Sequence, residues 1–321
     1  MLWGLTACDS PAWASKAKPL YEWPGPVFGH LVDVTFAHPL VHVLEHWRFG
    51  ESLVGKRRQK DRMRFFRRSL ALPSIKKKRL FRGPPGARVY AVGDVHGRLD
   101  LLDDLLGQIE REIARRDVRE SFLVFLGDLI DRGPDSAGVV ERLRTWGFAD
   151  AKPVFLMGNH EEVLLKIFSG EHKLLRRWLR FGGIECLQSY GIQPEQLWSI
   201  SETKAIELMA SRISPAHLEF LRTMGDTFVF GDYLFVHAGI RPGVEISCQS
   251  KTDLRWIREP FISSRRMHDF LIVHGHTRMP EVDERPNRIG IDTGAYASGR
   301  LTALVIEEDS RRYLRAEAPP V

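Results

Sequence analysis

The stretch Arg88-Val89-Tyr90-Ala91-Val92-Gly93-Asp94-Val95-His96-Gly97 decides how this chain is read. Its apolar half has the look of a short strand, and the glycine-flanked Asp and His stand where that strand opens into a loop. The pattern returns twice. Ser121–Leu126 leads into Gly127-Asp128-Leu129-Ile130-Asp131-Arg132-Gly133, and Pro153–Met157 leads into Gly158-Asn159-His160-Glu161. Two later motifs, His237-Ala238-Gly239 and Gly275-His276-Thr277, again set His beside Gly. Oxygen and imidazole ligands of this kind suit divalent metals, and a cluster gathered from several strand ends can hold two ions.

Outward from these motifs, Leu101, Leu102, Leu105, Leu106, Ile109 and Ile113 recur at three and four, which predicts a helix over Leu99–Arg116. Pro134 suits the first turn of a helix running to about Trp146, and a third helix is expected over His160–Phe168. Residues 170–224 read as mostly helical, with candidates at Leu174–Arg180, Glu202–Ser211 and Pro215–Met224 and turns at Gly182-Gly183 and Gly191; they predict a cap or flank. Strands are expected at Thr227–Phe230, Tyr233–Val236, Phe270–Val273, Arg288–Ile291 and Leu301–Ile306. Strand–helix alternation followed by a strand-rich half implies a mixed α/β fold with a stacked-sheet core.

The net charge of +6 is unevenly spread. Residues 1–86 hold 16 Lys and Arg against 6 Asp and Glu, and residues 87–321 hold 31 against 35. The basic character therefore belongs to the first segment, and specific nucleic-acid binding is not expected of the rest. Lys56-Arg57-Arg58, Arg67-Arg68 and Lys76-Lys77-Lys78-Arg79 read as a solvated, disordered arm, with contact to anionic surfaces as the functional alternative. Gly83-Pro84-Pro85-Gly86 is a breaker cluster, so the catalytic domain is expected over 87–321. Met63 precedes Arg64-Phe65-Phe66-Arg67-Arg68 and reads as a native start, which would leave residues 1–62 untranslated. Three widely spaced cysteines, Cys8, Cys186 and Cys248, argue against a disulfide framework and suit a cytoplasmic protein. No apolar run approaches the ~20 residues that span a bilayer.

Asp94 and His96 can address one ion, because Gly93 and Gly97 allow tight backbone geometry. Asp128 has two carboxylate oxygens and can bridge two ions about 3.5–4 Å apart. Asn159, His237 and His276 would complete the second ion's shell. Each residue alone is weak evidence, since a lone Asp or His beside Gly is more often a turn. The set in one order is not. Manganese is the expected metal, with iron or zinc admitted by the same ligands.

As a set, these motifs resemble the calcineurin-like metallophosphoesterase superfamily, and within it the phosphoprotein phosphatases of bacterial and phage type. The resemblance runs from about Val89 to Ile306. It implies two facing mixed β-sheets flanked by α-helices, in four αββα layers. It also implies that Asp94, His96 and Asp128 bind one metal, and that Asp128, Asn159, His237 and His276 bind the other. The family's ligand is the His directly before Thr, hence His276 rather than His274. A metal-activated hydroxide would attack phosphorus in line, His160 would protonate the leaving alkoxide, and Asp131 would hold His160. Arg132 and Arg258 are the implied phosphate clamps. Arg241 either reaches the cleft or forms a loop salt bridge. The expected substrate is a phosphorylated serine or threonine of a protein or peptide. Hydrolysis of dinucleoside polyphosphates is the alternative, and the presence of Asp131 and His96, which those relatives are expected usually to lack, favours the phosphatase. A non-catalytic module would be expected to have lost a ligand or the acid, and none is missing.

Overall fold

A computed structural model of the chain describes residues 80–115, 117–147 and 150–318. The expectations for residues 1–79 (the arm, its anionic contacts and the start at Met63) lie outside the described residues. Among the described residues, ten strands form two five-stranded mixed sheets. In the first, β1 (Ala87–Val92), β2 (Glu120–Phe125) and β3 (Lys152–Phe155) run parallel. Parallel neighbours need a crossover, and α1 (Leu99–Ile113) and α2 (Ser136–Thr145) supply it. The second sheet has the order β4-β5-β6-β8-β7, from β4 (Thr227–Phe230), β5 (Tyr233–Val236), β6 (Leu271–His274), β7 (Asp283–Arg285) and β8 (Arg288–Gly290). The antiparallel pair β9 (Arg300–Glu307) and β10 (Ser310–Glu317) then completes the first sheet beside β1.

Period-two alternation sorts the strand residues into layers. Val89, Ala91, Leu304 and Ile306 of the first sheet share a buried cluster with Phe235, Val273 and Ile289 of the second, so the sheets face each other. Tyr90 and Val92 point the other way, against Leu102, Leu105 and Ile109 of α1. Leu234, Val236 and Ile272 pack outward with Leu254 and Ile257 around helix α9 (Lys251–Trp256). Each large aliphatic side chain so buried contributes roughly 1.5–3 kcal/mol. The four expected layers are present.

Helix α3 (Asn159–Phe168) leaves β3 through the third motif. The flank then comprises α4 (Leu175–Trp178), α5 (Ile184–Ser189), α6 (Pro194–Trp198), α7 (Glu202–Arg212) and α8 (Pro215–Arg222). The helix predicted over 174–180 is present around α4, and the turn predicted at Gly182-Gly183 is a kink before α5, where Phe181 and Gly182 leave helical geometry and Gly182 stands at φ +110°. Helix α2 begins two residues beyond Pro134, because the Asp135 side chain caps it by accepting the Gly138 N–H. Strand β10 is not foreseen by pattern. Its Arg-rich edge is held by β9 and by ion pairs such as Arg312–Glu112 and Arg315–Glu281. The expected boundary after Gly86 falls inside packed chain: Phe81 is buried in the inter-sheet core, and the Gly83 N–H donates to the Glu308 carbonyl at 2.7 Å. Among the described residues no helix is long and apolar enough to cross a membrane.

Candidate metal centre

The five motifs follow β1, β2, β3, β5 and β6, four in loops and the third running into α3, so parallel strands deliver them to one end of the two sheets. Local strain marks the place. Six described non-glycine residues have positive φ, and five of them are His96, Asp128, Asp131, Arg132 and His276. Such conformations persist only where the surroundings over-determine them. Here the Asp128 carbonyl accepts the Val95 and His96 N–H groups at 3.2 and 2.9 Å, and the Leu129 carbonyl accepts that of Gly97 at 2.8 Å. Two glycines are dictated by approach rather than by turn: a Cβ on Gly275 would run into the Asp94 carboxylate, and one on Gly158 into that of Asp128.

Asp128 stands at the middle. Its carboxylate lies 3.6 Å from His96 Nε2, 3.4 Å from His237 Nε2 and 3.9 Å from His160 Nε2. Two groups of buried donors converge around it, His96–Asp128–His160 and Asp128–His237–His276. The imidazoles are aimed by their outer nitrogens. His96 Nδ1 donates to the Ile130 carbonyl and His237 Nδ1 to the Leu126 carbonyl, each at 2.8 Å. A carbonyl can only accept, so each ring directs its Nε2 lone pair inward. Asn159 Oδ1 meets His237 Nε2 at 3.1 Å, and buried His276 Nε2 has no hydrogen-bond partner. Lone pairs facing a carboxylate and an amide oxygen, with an orphaned imidazole nitrogen beside them, fit divalent cations. Asp94 lies outside the two convergent groups, yet it is buried and its oxygens accept the His276 N–H at 3.0 and 3.2 Å.

Electrostatics agree with a site built for positive charge. Burial raises the Asp94 carboxyl well above its usual range, and Asp292 and Asp128 add to that. Burial also opposes ionisation of Asp128, but His237 and His160, in their protonated forms with a proton where a cation would sit, outweigh it and hold its carboxyl well below the usual range. Burial pushes the His276 imidazole down to about 3, with His237 adding repulsion, which keeps it neutral as a ligand must be.

His160 opens α3, with its Nδ1 2.5 Å from Asp131 Oδ2. Burial alone would lower its imidazolium, but the Asp128 and Asp131 carboxylates raise it above the ordinary value. The Arg132 guanidinium spans His96 Nε2 at 2.9 Å and His160 Nε2 at 3.0 Å and lies over the Tyr296 ring. Arg132 and His160 line a cleft of about 380 Å³, together with Asn159, Arg258 and His276. Arg241 is elsewhere: its guanidinium grips Asp253 through Nε at 3.0 Å and Nη2 at 2.6 Å and does not line the cleft. Of the two alternatives for Arg241, the structure shows the loop salt bridge. His274 is turned into the second sheet's outer layer, edge-on to Phe261.

Sequence reasoning passed over four residues around the centre. Asp292 braces Gly294 by accepting its N–H at 2.9 Å, and it is also buried and raises the Asp94 carboxyl electrostatically. Glu161 accepts backbone N–H groups from Asp128, Leu129, Ile130 and Gly158. Trp178 and Tyr296 touch Asp131 and His96. Only Glu161 carried a signal, as the acid closing Gly-Asn-His-Glu.

The profile of the calcineurin-like phosphoesterases matches residues 87–302. Over 231 residues the chain is 32% identical to serine/threonine-protein phosphatase 1 of Salmonella typhimurium, covering 68% of this chain and 92% of that protein. It is 28% identical over 263 residues to a symmetrical bis(5'-nucleosyl)-tetraphosphatase of Janthinobacterium sp., covering 67% and 91%. A crystal structure provisionally assigned as a diadenosine tetraphosphatase matches with a TM-score of 0.52 at 23% identity, over 73% of this chain and 96% of that one, which shows a common fold. The profile spans all five motifs, and the two facing mixed sheets with flanking helices are the architecture the resemblance implied. The chain belongs to the calcineurin-like phosphoesterase family.

Proposed function

We propose that this protein is a metal-dependent phosphomonoesterase acting on phosphoserine or phosphothreonine in proteins or peptides. The observation that carries this is the Asp131–His160 pair, at 2.5 Å, whose His160 lines the cleft beside Arg132. An alkoxide is a poor leaving group and needs a proton, and an imidazole held above its ordinary pKa can give one. Similarity to a relative named as a serine/threonine phosphatase supports the same reading.

Two divalent ions, manganese by preference, would be held by Asp94, His96, Asp128, Asn159, His237 and His276. Bound there, they supply a lowered pKa for water and positive charge for the phosphoryl group. The chain's own residues do the rest. Arg132 presents two N–H groups to phosphoryl oxygens. Arg258 lines the same cleft, and its guanidinium has no hydrogen-bond or ion-pair partner among the described residues. His160 keeps Nδ1 on Asp131 and offers Nε2 to the leaving oxygen.

The test is a substrate panel with manganese. A phosphoserine peptide should be hydrolysed faster than diadenosine tetraphosphate. The opposite ranking would transfer the assignment to dinucleoside polyphosphates, the activity named for the 28% identical relative. His160→Ala should slow the phosphoserine peptide far more than p-nitrophenyl phosphate, whose leaving group needs little protonation. Equal slowing removes His160 as the acid.

A further inference from the structure

One segment of the helical flank reaches both Asp131 and Arg132. The Trp178 indole N–H donates to Asp131 Oδ2 at 2.7 Å, the same oxygen that meets His160 Nδ1 at 2.5 Å. All three side chains are buried, and Asp131 Oδ1 has no hydrogen-bond partner. Four residues beyond Trp178, the Gly182 carbonyl accepts the Arg132 N–H at 3.0 Å.

A kink in the flank accompanies these contacts: between α4 and α5, Phe181 and Gly182 leave helical geometry. A Cβ on Gly182 would lie 2.5 Å from Arg132 Cγ and 2.6 Å from its amide nitrogen. One on Gly183 would lie 2.5–2.8 Å from atoms of the Trp178 ring. The two glycines that read as a turn in sequence are close-approach residues, one for Arg132 and one for the indole. Asp131 and Arg132 stand at φ +74° and +69°, so neither holds its backbone conformation unaided.

We propose that Trp178 is a positioning residue for the reaction: its indole N–H pins the Asp131 carboxylate in the orientation that aligns His160. A carboxylate bonded only to His160 could turn about its Cβ–Cγ bond and exchange oxygens. A second donor, fixed in the packed flank and bound to the same oxygen, stops that rotation. The proposal rests on the assignment of His160 as proton donor.

The experiment compares Trp178→Phe, and a second variant carrying 3-benzothienylalanine at 178, with wild type and His160→Ala in manganese. The benzothienyl ring keeps the indole's shape and removes only its N–H. Both Trp178 variants should lose about tenfold in kcat on a phosphoserine peptide, stay within about twofold on p-nitrophenyl phosphate and keep KM on both. In metal-free protein with 15N-labelled histidine, the proton on His160 Nδ1 should shift in the benzothienyl variant. Equal losses on both substrates, no loss on either, or an unmoved His160 proton overturns the proposal. A selective loss in His160→Ala with none in the Trp178 variants sinks the positioning role and leaves the proton donor standing. Equal losses in His160→Ala remove the donor and the positioning role together.

Discussion

The Glu161 carboxylate lies directly beneath Asp128 and holds its loop. Oε2 accepts the Asp128 and Gly158 N–H groups at 2.9 and 3.1 Å, and Oε1 accepts those of Leu129 and Ile130 at 2.7 and 3.2 Å. One buried side chain thus ties the end of β2 to the start of α3 and fixes the residue common to both donor groups.

Glu161→Gln should therefore act on more than stability. It replaces one accepting oxygen by an N–H₂ group facing N–H donors, which leaves buried donors unsatisfied at a cost of about 1–3 kcal/mol. The urea midpoint should fall, and manganese affinity measured by calorimetry should fall with it, because the Asp128 loop loosens. Unchanged affinity would show that Asp128 is held by other contacts.

Asp94→Asn and His276→Ala each remove a proposed ligand while leaving the packed sheets intact. Each should lower phosphomonoester hydrolysis by more than about 100-fold, the upper end of what losing an outer partner costs. Chelation should silence wild type, and added manganese should restore it. Calorimetry should show fewer than two ions bound in either variant; full occupancy with full activity would remove that residue from the metal shell.

The two outlying arginines should separate cleanly. Arg258 lines the cleft, so Arg258→Ala should cut kcat/KM for a phosphopeptide about 100-fold, as losing one anion-stabilising donor does. Arg241 is spent on Asp253, so Arg241→Ala should stay within about threefold of wild type. Steady-state kinetics on the pair decide it, and equal losses would refute the cleft geometry.

Away from the centre, Asp283 pairs with the buried Arg288 guanidinium at 2.7 Å. Burial opposes ionisation of Asp283, but Arg288 outweighs it and holds the carboxyl below its usual value. A carboxyl depressed by folding stabilises above the unfolded pKa, near 3.9, and that contribution disappears as pH falls through the lower folded value. Asp283→Asn should cost about 3 kcal/mol at pH 7, because it strands the buried guanidinium. The gap from wild type in urea midpoint should narrow at acid pH. A gap independent of pH would mean that the charge pair contributes nothing.

The alternating strands, the first helices and five donor-bearing segments were legible because each is a local pattern: period two, spacing of three and four, and glycine flanking a candidate ligand. Beyond those, β10 was not legible, since an Arg-rich edge strand is held by β9 and by acids distant in sequence rather than by its own apolar period. The turn at Gly182-Gly183 was legible, but the close approach of Arg132 and Trp178 to those two glycines was not.

The chain alone determined which donors exist and that strand ends would carry them, because ligand type and backbone period are written residue by residue. Only the tertiary structure decided which arginine faces the cleft, where Arg258 and Arg241 differ by the single partner Asp253. It alone brought Glu161 under Asp128 and Trp178 onto Asp131. Those contacts join residues 33 and 47 positions apart, and direction and distance between such residues come from packing, which no local pattern records.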